Sequence, residues 1–416
     1  MMQRYTVDKN SYIHLPVHSG VRMSAADPRV RLLYWHPSDP VAVIEQEDAF
    51  SLITFASNVH LDKKSETCTF KSSKINVIGS FSSLREALQP YLKNCPAKSV
   101  VPAYFMRVIT LDMWLSDGRI AHNYSDVLRL LSELSDVGLS QGTLLYLPGW
   151  HAPYDKGYPA YAPAEELGGE IEFYRMMEEA EKLGVTIMLH LNIWGYDTSS
   201  GILDNYEELQ LRDDQGALMG WPGVTLTGST NPLSYMKVYD ERWRELFLSY
   251  VGELLRKYPL HALFLDQLGI YQGEKFNQGI QDILCAIRSI RPNIHLGSET
   301  IRRSLIHHIN IFQSWGQSWC GLPLDLTDSI SPIIAILYEE SNAQIIGHLG
   351  LPSFVPNCYT WTNYPFIVEH GIEKAALIAQ EHLQTVGGIP HIRLNYRAFG
   401  LDERNLQLIQ KQNDHD

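Results

Sequence analysis

The sequence predicts an α/β protein: a (β/α)8 barrel, the TIM-barrel architecture, preceded by a small β-rich N-terminal domain. Three observations point there. From about residue 103, apolar strand-type runs alternate with amphipathic helical stretches, as in successive βαβ units. About eight such strands fall within roughly 300 residues, the count and length of that barrel. The first hundred residues, by contrast, hold only short β-type runs separated by Pro, Asp, Ser and Lys. The expected division is a β-rich domain at 1–100, the barrel at 101–400 and a polar tail, LDERNLQLIQKQNDHD, at 401–416.

In chain order, VRLLYWHPS, VAVIEQ, FSLITFA, ETCTFKSS and INVIGSF suggest a small antiparallel sheet. SLREALQPYLKN (83–94) reads as a short helix and CPAKSVVP as a linker. The barrel strands are AYFMRVIT (103–110), GTLLYLPGW (142–150), TIMLHLNIWG (186–195), HALFLDQLG (261–269), NIHLGSE (293–299), NIFQSWG (310–316), AQIIGHLGLP (343–352) and GIPHIRLNY (388–396). Between them lie YSDVLRLLSELSDVG, EIEFYRMMEEAEKLG, YDERWRELFLSYVGELLRKY and FNQGIQDILCAIRSI. Their apolar residues recur at three- and four-residue spacing, and the first two end in Gly, as helices do. The longest connection, 196–235, contains LQLRDDQGALMGWPG, which reads as a small hairpin turning at Asp-Gln-Gly. A doubly wound open sheet is the competing layout, but no Gly-rich phosphate fingerprint follows any strand.

A composition 45% hydrophobic and 19% charged is that of a soluble globular protein with ample core. The net charge of −13 repels nucleic acid and anionic membrane surfaces, so neither is an expected partner. No window holds the unbroken apolar run of roughly 18 residues that a membrane helix needs. MMQRYTVDKNSYIHLP lacks the apolar segment of a signal peptide, which implies a cytoplasmic chain, or a secreted or periplasmic one already trimmed. Five scattered cysteines without CxxC spacing favour reduced thiols over disulfides or a zinc site, and no cofactor is expected.

A barrel of this kind holds its site at the C-terminal strand ends. The second strand ends Gly149-Trp150-His151, and the third carries His190, Asn192 and Trp194. Asp266 and Gln267 close the fourth strand, and Glu299 closes the fifth. Trp315 lies on the sixth, His348 on the seventh, and His391 and Arg393 on the eighth. Strand side chains alternate faces, so His190 shares a face with Asn192, and His391 with Arg393. Asp266 and Glu299 are the sharpest pair. Adjacent strands run about 4.8 Å apart, so the two carboxylates can approach the roughly 5 Å of a retaining glycosidase. There one carboxylate attacks the anomeric carbon while the other donates and then accepts a proton. Trp150, Trp194 and Trp315 would offer flat amphipathic rings to sugar faces, His190, Asn192, His391 and Arg393 would orient sugar hydroxyls or the nucleophile, and His151, Gln267 and His348 are further substrate-binding candidates. The bland alternatives are a helix cap for Asp266 and an Arg302 or Arg303 partner for Glu299.

On these residues the barrel resembles the retaining α-glycosidases, the group that includes α-amylase-type and endo-α-N-acetylgalactosaminidase barrels. That resemblance implies an α-specific retaining glycoside hydrolase acting on an oligosaccharide or glycoside, with Asp266 of FLDQ as nucleophile and Glu299 of GSET as acid/base. A nearer likeness is to uncharacterised bacterial glycosidase-like proteins, in which GW…YP.Y.P…GG precedes the third strand. Here GWHAPYDKGYPAYAPAEELGG (149–169) is followed by IMLHLNIWGYD (187–197). The sequence departs from the α-amylase type at Phe264, where that type has Arg, and at His348, where it has Asp.

Two other readings compete. His190, Asn192, Asp266, His348 and His391 could converge as ligands of a metal-dependent hydrolase, although no strand carries HxH. A carbohydrate-binding barrel without catalysis is the second.

Overall fold

Runs rich in β-branched and aromatic residues build β1 (Ser11–His18), β2 (Arg22–Ser24), β3 (Val30–His36), β4 (Val41–Gln46), β5 (Ala49–Phe55), β6 (His60–Lys64), β7 (Thr67–Ser72) and β8 (Ile75–Phe81). They pair antiparallel in one sheet, in the order β6-β7-β1-β2-β3-β4-β5-β8. Three of these strands, β1, β2 and β6, have no counterpart among the expected runs. The β6 sequence, HLDKK, is mostly charged and stands at the sheet's end, the place where lysines discourage further pairing.

The computed structural model describes the strands of the first 81 residues, parts of 82–89, most of 105–298, residues 308–314, and strands at 344–347 and 391–393. Within 105–298 it leaves out 115–117, 137, 154–155, 214, 222–232 and 269–273, and side chains are described only between 79 and 311.

The second sheet is parallel throughout. Its strands are β9 (Arg107–Thr110), β10 (Thr143–Leu147), β11 (Thr186–Asn192), β15 (Ala262–Asp266), β16 (His295–Ser298), β17 (Ile311–Ser314), β18 (Gln344–Gly347) and β19 (His391–Arg393). Three short strands intervene: β12 (Gly195–Asp197), β13 (Gly220–Trp221) and β14 (Leu233–Tyr235). The parallel order is β18-β17-β16-β15-β11-β10-β9-β19. Neighbours follow chain order, and the last strand joins beside the first, without the reversal of a doubly wound sheet. Each strand expected from residue 103 onward has a counterpart in this sheet. Helices α1 (Tyr124–Asp136), α2 (Gly169–Leu183), α3 (Glu241–Lys257) and α4 (Glu274–Ile290) match the four amphipathic stretches. Gly184 ends α2 in the left-handed conformation, φ 73°, returning its N–H to Ala180 and Glu181. Among the described residues no helix is long and apolar enough to cross a membrane.

Alternation along the strands separates two apolar layers. Ile109, Leu145, Leu147, Ile187, Leu189, Leu191, Leu263 and Leu265 pack with helix residues such as Leu131, Phe173, Phe247 and Ile283. Val108, Leu144, Tyr146, Met188, Ala262 and Phe264 form a second cluster with Phe105 and Ile311. Burial on both faces explains why these strands read as near-continuous apolar runs.

The connection after β11 folds as expected into a small lobe. Its strands β12, β14 and β13 pair antiparallel, and Arg212 bridges Leu218 across a turn in which Asp213 accepts from the N–H groups of Gln215 and Ala217.

Helix α4 meets the chain before α3 through Gly279. A Cβ there would lie 2.5 Å from the Val238 carbonyl oxygen and 2.9 Å from the Tyr239 nitrogen. Ala ordinarily improves a helix, but here rigid backbone stands in its way. Gly279→Ala is expected to cost about 1–3 kcal/mol, seen as a lower urea midpoint with an unchanged slope.

Candidate active site

Above the second apolar cluster, the same face of the sheet turns polar. Tyr146, His190, Asn192 and Asp266 follow Leu144, Met188 and Phe264 in strand alternation, and β11 registers with β15 so that Asn192 lies opposite Asp266. Asn192 Nδ2 donates to Asp266 Oδ2 at 3.0 Å and to Gln267 Oε1 at 3.2 Å. Its Oδ1 accepts from the N–H groups of Trp194 and Gly195. Because an amide oxygen only accepts, those two N–H groups fix which way the Asn192 amide points. His190 Nε2 stands 3.8 Å from the same Asp266 oxygen, and its Nδ1 lies 2.6 Å from the Tyr146 hydroxyl. Gln267, directly after the acid, has φ 54°, a left-handed conformation uncommon for a residue with a Cβ and concentrated at functional sites.

Polar aromatic side chains hold the chain around this cluster. Trp150 Nε1 donates to the His190 carbonyl and Trp194 Nε1 to the Gln267 carbonyl. Trp243 Nε1 donates to the Ile193 carbonyl, and Trp114 Nε1 to that of Gly149. The Tyr161 hydroxyl donates to the Asn192 carbonyl and accepts from the Asn192 N–H, while that of Tyr124 donates to the Trp150 carbonyl and accepts from Ala164 N–H. Tyr161 belongs to the GWHAPYDKGYPAYAP segment. That segment is tied down further by Asp197, whose carboxylate accepts from Gly157 N–H and whose own N–H donates to the Tyr158 carbonyl.

Four of the expected site residues make contacts with the protein itself. Trp150 and Trp194 are both 0% exposed, so neither presents a ring face to a ligand, and both instead secure backbone carbonyls beside the acid. Asn192, expected to orient sugar hydroxyls or the nucleophile, gives both amide hydrogens and its oxygen to protein groups. It orients Asp266 and Gln267. His151 is buried with Trp150, Tyr158 and Tyr161 around its ring, and its Nδ1 has no hydrogen-bond partner among the described residues.

Burial dominates the electrostatics. It pushes the imidazoles of His190 and His151 down to about 3, with the neighbouring His190 adding to the fall of His151. Burial drives the Tyr161 hydroxyl upward against the hydrogen bond with Asn192, and the Asp266 charge pushes the same way. Both histidines are neutral at physiological pH.

Glu299, Trp315 and His348 lie outside the described residues. Backbone register sets His391 opposite Val108 and Arg393 opposite Thr110, and their side chains are likewise outside the description. Among the described residues, no group of three or more His, Cys, Asp or Glu side chains could hold a metal ion. Three polar residues escaped the sequence reading. Thr110 and Asp112 are 2% and 0% exposed, and alternation from Val108 sets Thr110 on the polar face. Counting by twos along RVITLD, as was done for HIRLN, would have reached them. Tyr146 was missed because TLLYL reads as an apolar run, which conceals a hydroxyl at its end.

Comparison with known proteins bears on the fold. A family model described as a domain of unknown function (DUF6259) matches residues 94–279. No curated protein matches the chain. Among solved structures, an α-N-acetylgalactosaminidase from Bifidobacterium bifidum superposes with a TM-score of 0.59 at 11% identity, over 80% of this chain and 66% of that one. An α-galactosidase from Thermus thermophilus, in complex with stachyose, gives 0.57 at 12% identity, over 96% and 89%. A GH36 α-galactosidase from Geobacillus stearothermophilus gives 0.53 at 11% identity, over 96% and 60%. The chain has a glycosidase-like fold. It spans just under two thirds of the Bifidobacterium enzyme's length and most of the Thermus enzyme's.

Proposed function

We propose that this chain is a retaining, α-specific glycoside hydrolase whose parallel strands close into a (β/α)8 barrel behind a β-rich N-terminal domain. Asp266 would attack the anomeric carbon, and Glu299 would protonate the leaving oxygen and then deprotonate the incoming water. One observation supports this above the rest. Asp266 ends its strand with a carboxylate held by Asn192 and faced by His190, and the last β15–β16 pair is Leu265 with Ser298. Glu299 follows Ser298 directly in the sequence, and the reading takes it as the partner of Asp266. Parallel neighbours about 4.8 Å apart suit the roughly 5 Å carboxylate spacing of the retaining route.

Gln267, Trp315, His348, His391 and Arg393 are assigned to the sugar, and Asn192 and His190 to the nucleophile. A helix cap for Asp266 is the weaker reading, because its carboxylate is taken up by β11 side chains on a neutral, largely buried face. The solved neighbours include enzymes named for α-galactose and α-N-acetylgalactosamine, so those sugars lead the choice of substrates. The test is a panel of aryl α- and β-glycosides with the product anomer followed by NMR. An α-glycoside yielding α-product at first turnover is the expected result; a β first product, or turnover of none of the panel, overturns the reading.

A further inference from the structure

The proposed chemistry leaves one polar residue of the cluster without a task. Tyr146 is 5% exposed at the end of β10, its hydroxyl oxygen 2.6 Å from His190 Nδ1. The imidazole is held in place around this contact. It stacks on Phe264 with ring centres 5.7 Å apart and planes at 23°, and the His190 carbonyl is held by Trp150. Phe264 in turn packs tilted against Tyr146, ring centres 5.1 Å apart. The ring therefore has one seat, with Nδ1 toward the phenol and Nε2 toward Asp266.

A neutral imidazole carries a single N–H, and its two tautomers differ sharply here. With the proton on Nδ1, the phenol oxygen would accept it, and the Nε2 lone pair would face a carboxylate oxygen 3.8 Å away. With the proton on Nε2, the phenol donates to Nδ1, and an N–H dipole points at that oxygen. The first arrangement sets negative against negative in a buried site; the second does not. We infer that Tyr146 is a positioning residue whose hydroxyl, by donating to Nδ1, locks His190 in the Nε2–H tautomer and keeps an N–H directed at the Asp266 carboxylate. Together with Asn192 Nδ2 this sets two donors toward Oδ2 and favours the ionised acid that a nucleophile must be. The titratable groups facing His190 among the described residues are Tyr146 from β10, Asp266 from β15 and His151 from the segment after β10. Burial, which holds His190 neutral, makes the choice of tautomer the controlling one.

The tautomer assignment stands by itself; its effect on rate rests on the proposed glycosidase reading. The experiment uses the full chain labelled with 15N-histidine, and long-range proton–nitrogen correlation of the rings, with His190 identified by loss of its signals in His190→Gln. The unsubstituted protein is expected to show a protonated Nε2 and a bare Nδ1 at His190. Tyr146→Phe should move the proton to Nδ1 or average the two nitrogens. A proton on Nδ1 in the unsubstituted protein overturns the inference, whether or not the variant folds, and so does an unchanged tautomer in a folded Tyr146→Phe. With any aryl glycoside the protein turns over, Tyr146→Phe should lower kcat by up to about a hundredfold with little change in KM, and raise the acid limb of the pH profile by roughly one unit. An unmoved acid limb removes the positioning role. If no glycoside is turned over, the glycosidase reading fails while the NMR result still decides the tautomer.

Discussion

Asp266→Ala is expected to lower kcat on an active aryl α-glycoside by about 10⁴-fold or more, as loss of an essential nucleophile does elsewhere, which is about 5 kcal/mol of transition-state stabilisation. Asp266→Asn should do nearly the same, and it separates chemistry from architecture. An Asn at this position still offers an oxygen to Asn192 Nδ2, so the β11–β15 contact at 3.0 Å keeps a partner and the melting temperature should hardly move. What is lost is the negative charge and the nucleophilic oxygen. Azide then assigns the roles. Added to Asp266→Ala it attacks from the vacated side and gives a glycosyl azide of inverted configuration. Added to Glu299→Ala it intercepts the covalent intermediate and gives one of retained configuration. Exchanged configurations would reverse the two assignments. Unchanged kcat in both variants would end the assignment of Asp266 and Glu299 as the catalytic carboxylates.

The fold was legible where periodicity was strong and where burial made it so. Strands β9, β10, β11 and β15 announce themselves as apolar runs because both faces are buried, and α1 to α4 because each has one apolar stripe. β1, β2 and β6 were illegible for the opposite reason: SYIHLPVH is broken by Pro16, RMS is three residues long, and HLDKK is mostly charged. Position at a strand end located Asp266, His190 and Asn192, because alternation assigns a face without any knowledge of contacts. It could not assign jobs. The tryptophans near the strand ends looked like sugar platforms, yet Trp150 and Trp194 turn their N–H groups to carbonyls of the chain itself. An indole N–H needs a partner when buried, and a strand end offers unpaired carbonyls at just the spot where a ligand would also want a ring. Sequence position is the same in both cases, and only burial distinguishes them. Tyr161 shows the converse. It sits in a loop motif with no evident chemistry, and its hydroxyl serves both backbone groups of Asn192.

Acidification should destabilise the protein well above the carboxylate range. His151 and His190 are buried and neutral, with burial holding each down to about 3 in the folded chain. In the unfolded chain both return to about 6.5. As pH falls below that value the unfolded chain takes up the protons first, so it binds more of them than the folded chain between about 6.5 and 3. Stability is therefore complete above about 6.5 and declines through that window, by up to about 1.4 kcal/mol per pH unit for each histidine. The two need not contribute equally. A proton on His190 would lie near Asp266, whose carboxylate at 3.8 Å offsets part of the cost. His151 has aromatic rings around it and His190 as its charged-form neighbour, which opposes protonation. Urea midpoints measured at pH 7.5, 6 and 5, as test conditions at and below the histidine range, should fall steadily, with carboxylates near 4 still ionised and unable to account for it. A His151→Phe chain, carrying a ring that cannot titrate, should lose stability with a shallower slope over the same interval. A flat profile between pH 7.5 and 5 would mean that the two imidazoles are solvated, and the closed floor beneath Asp266 would be wrong with them.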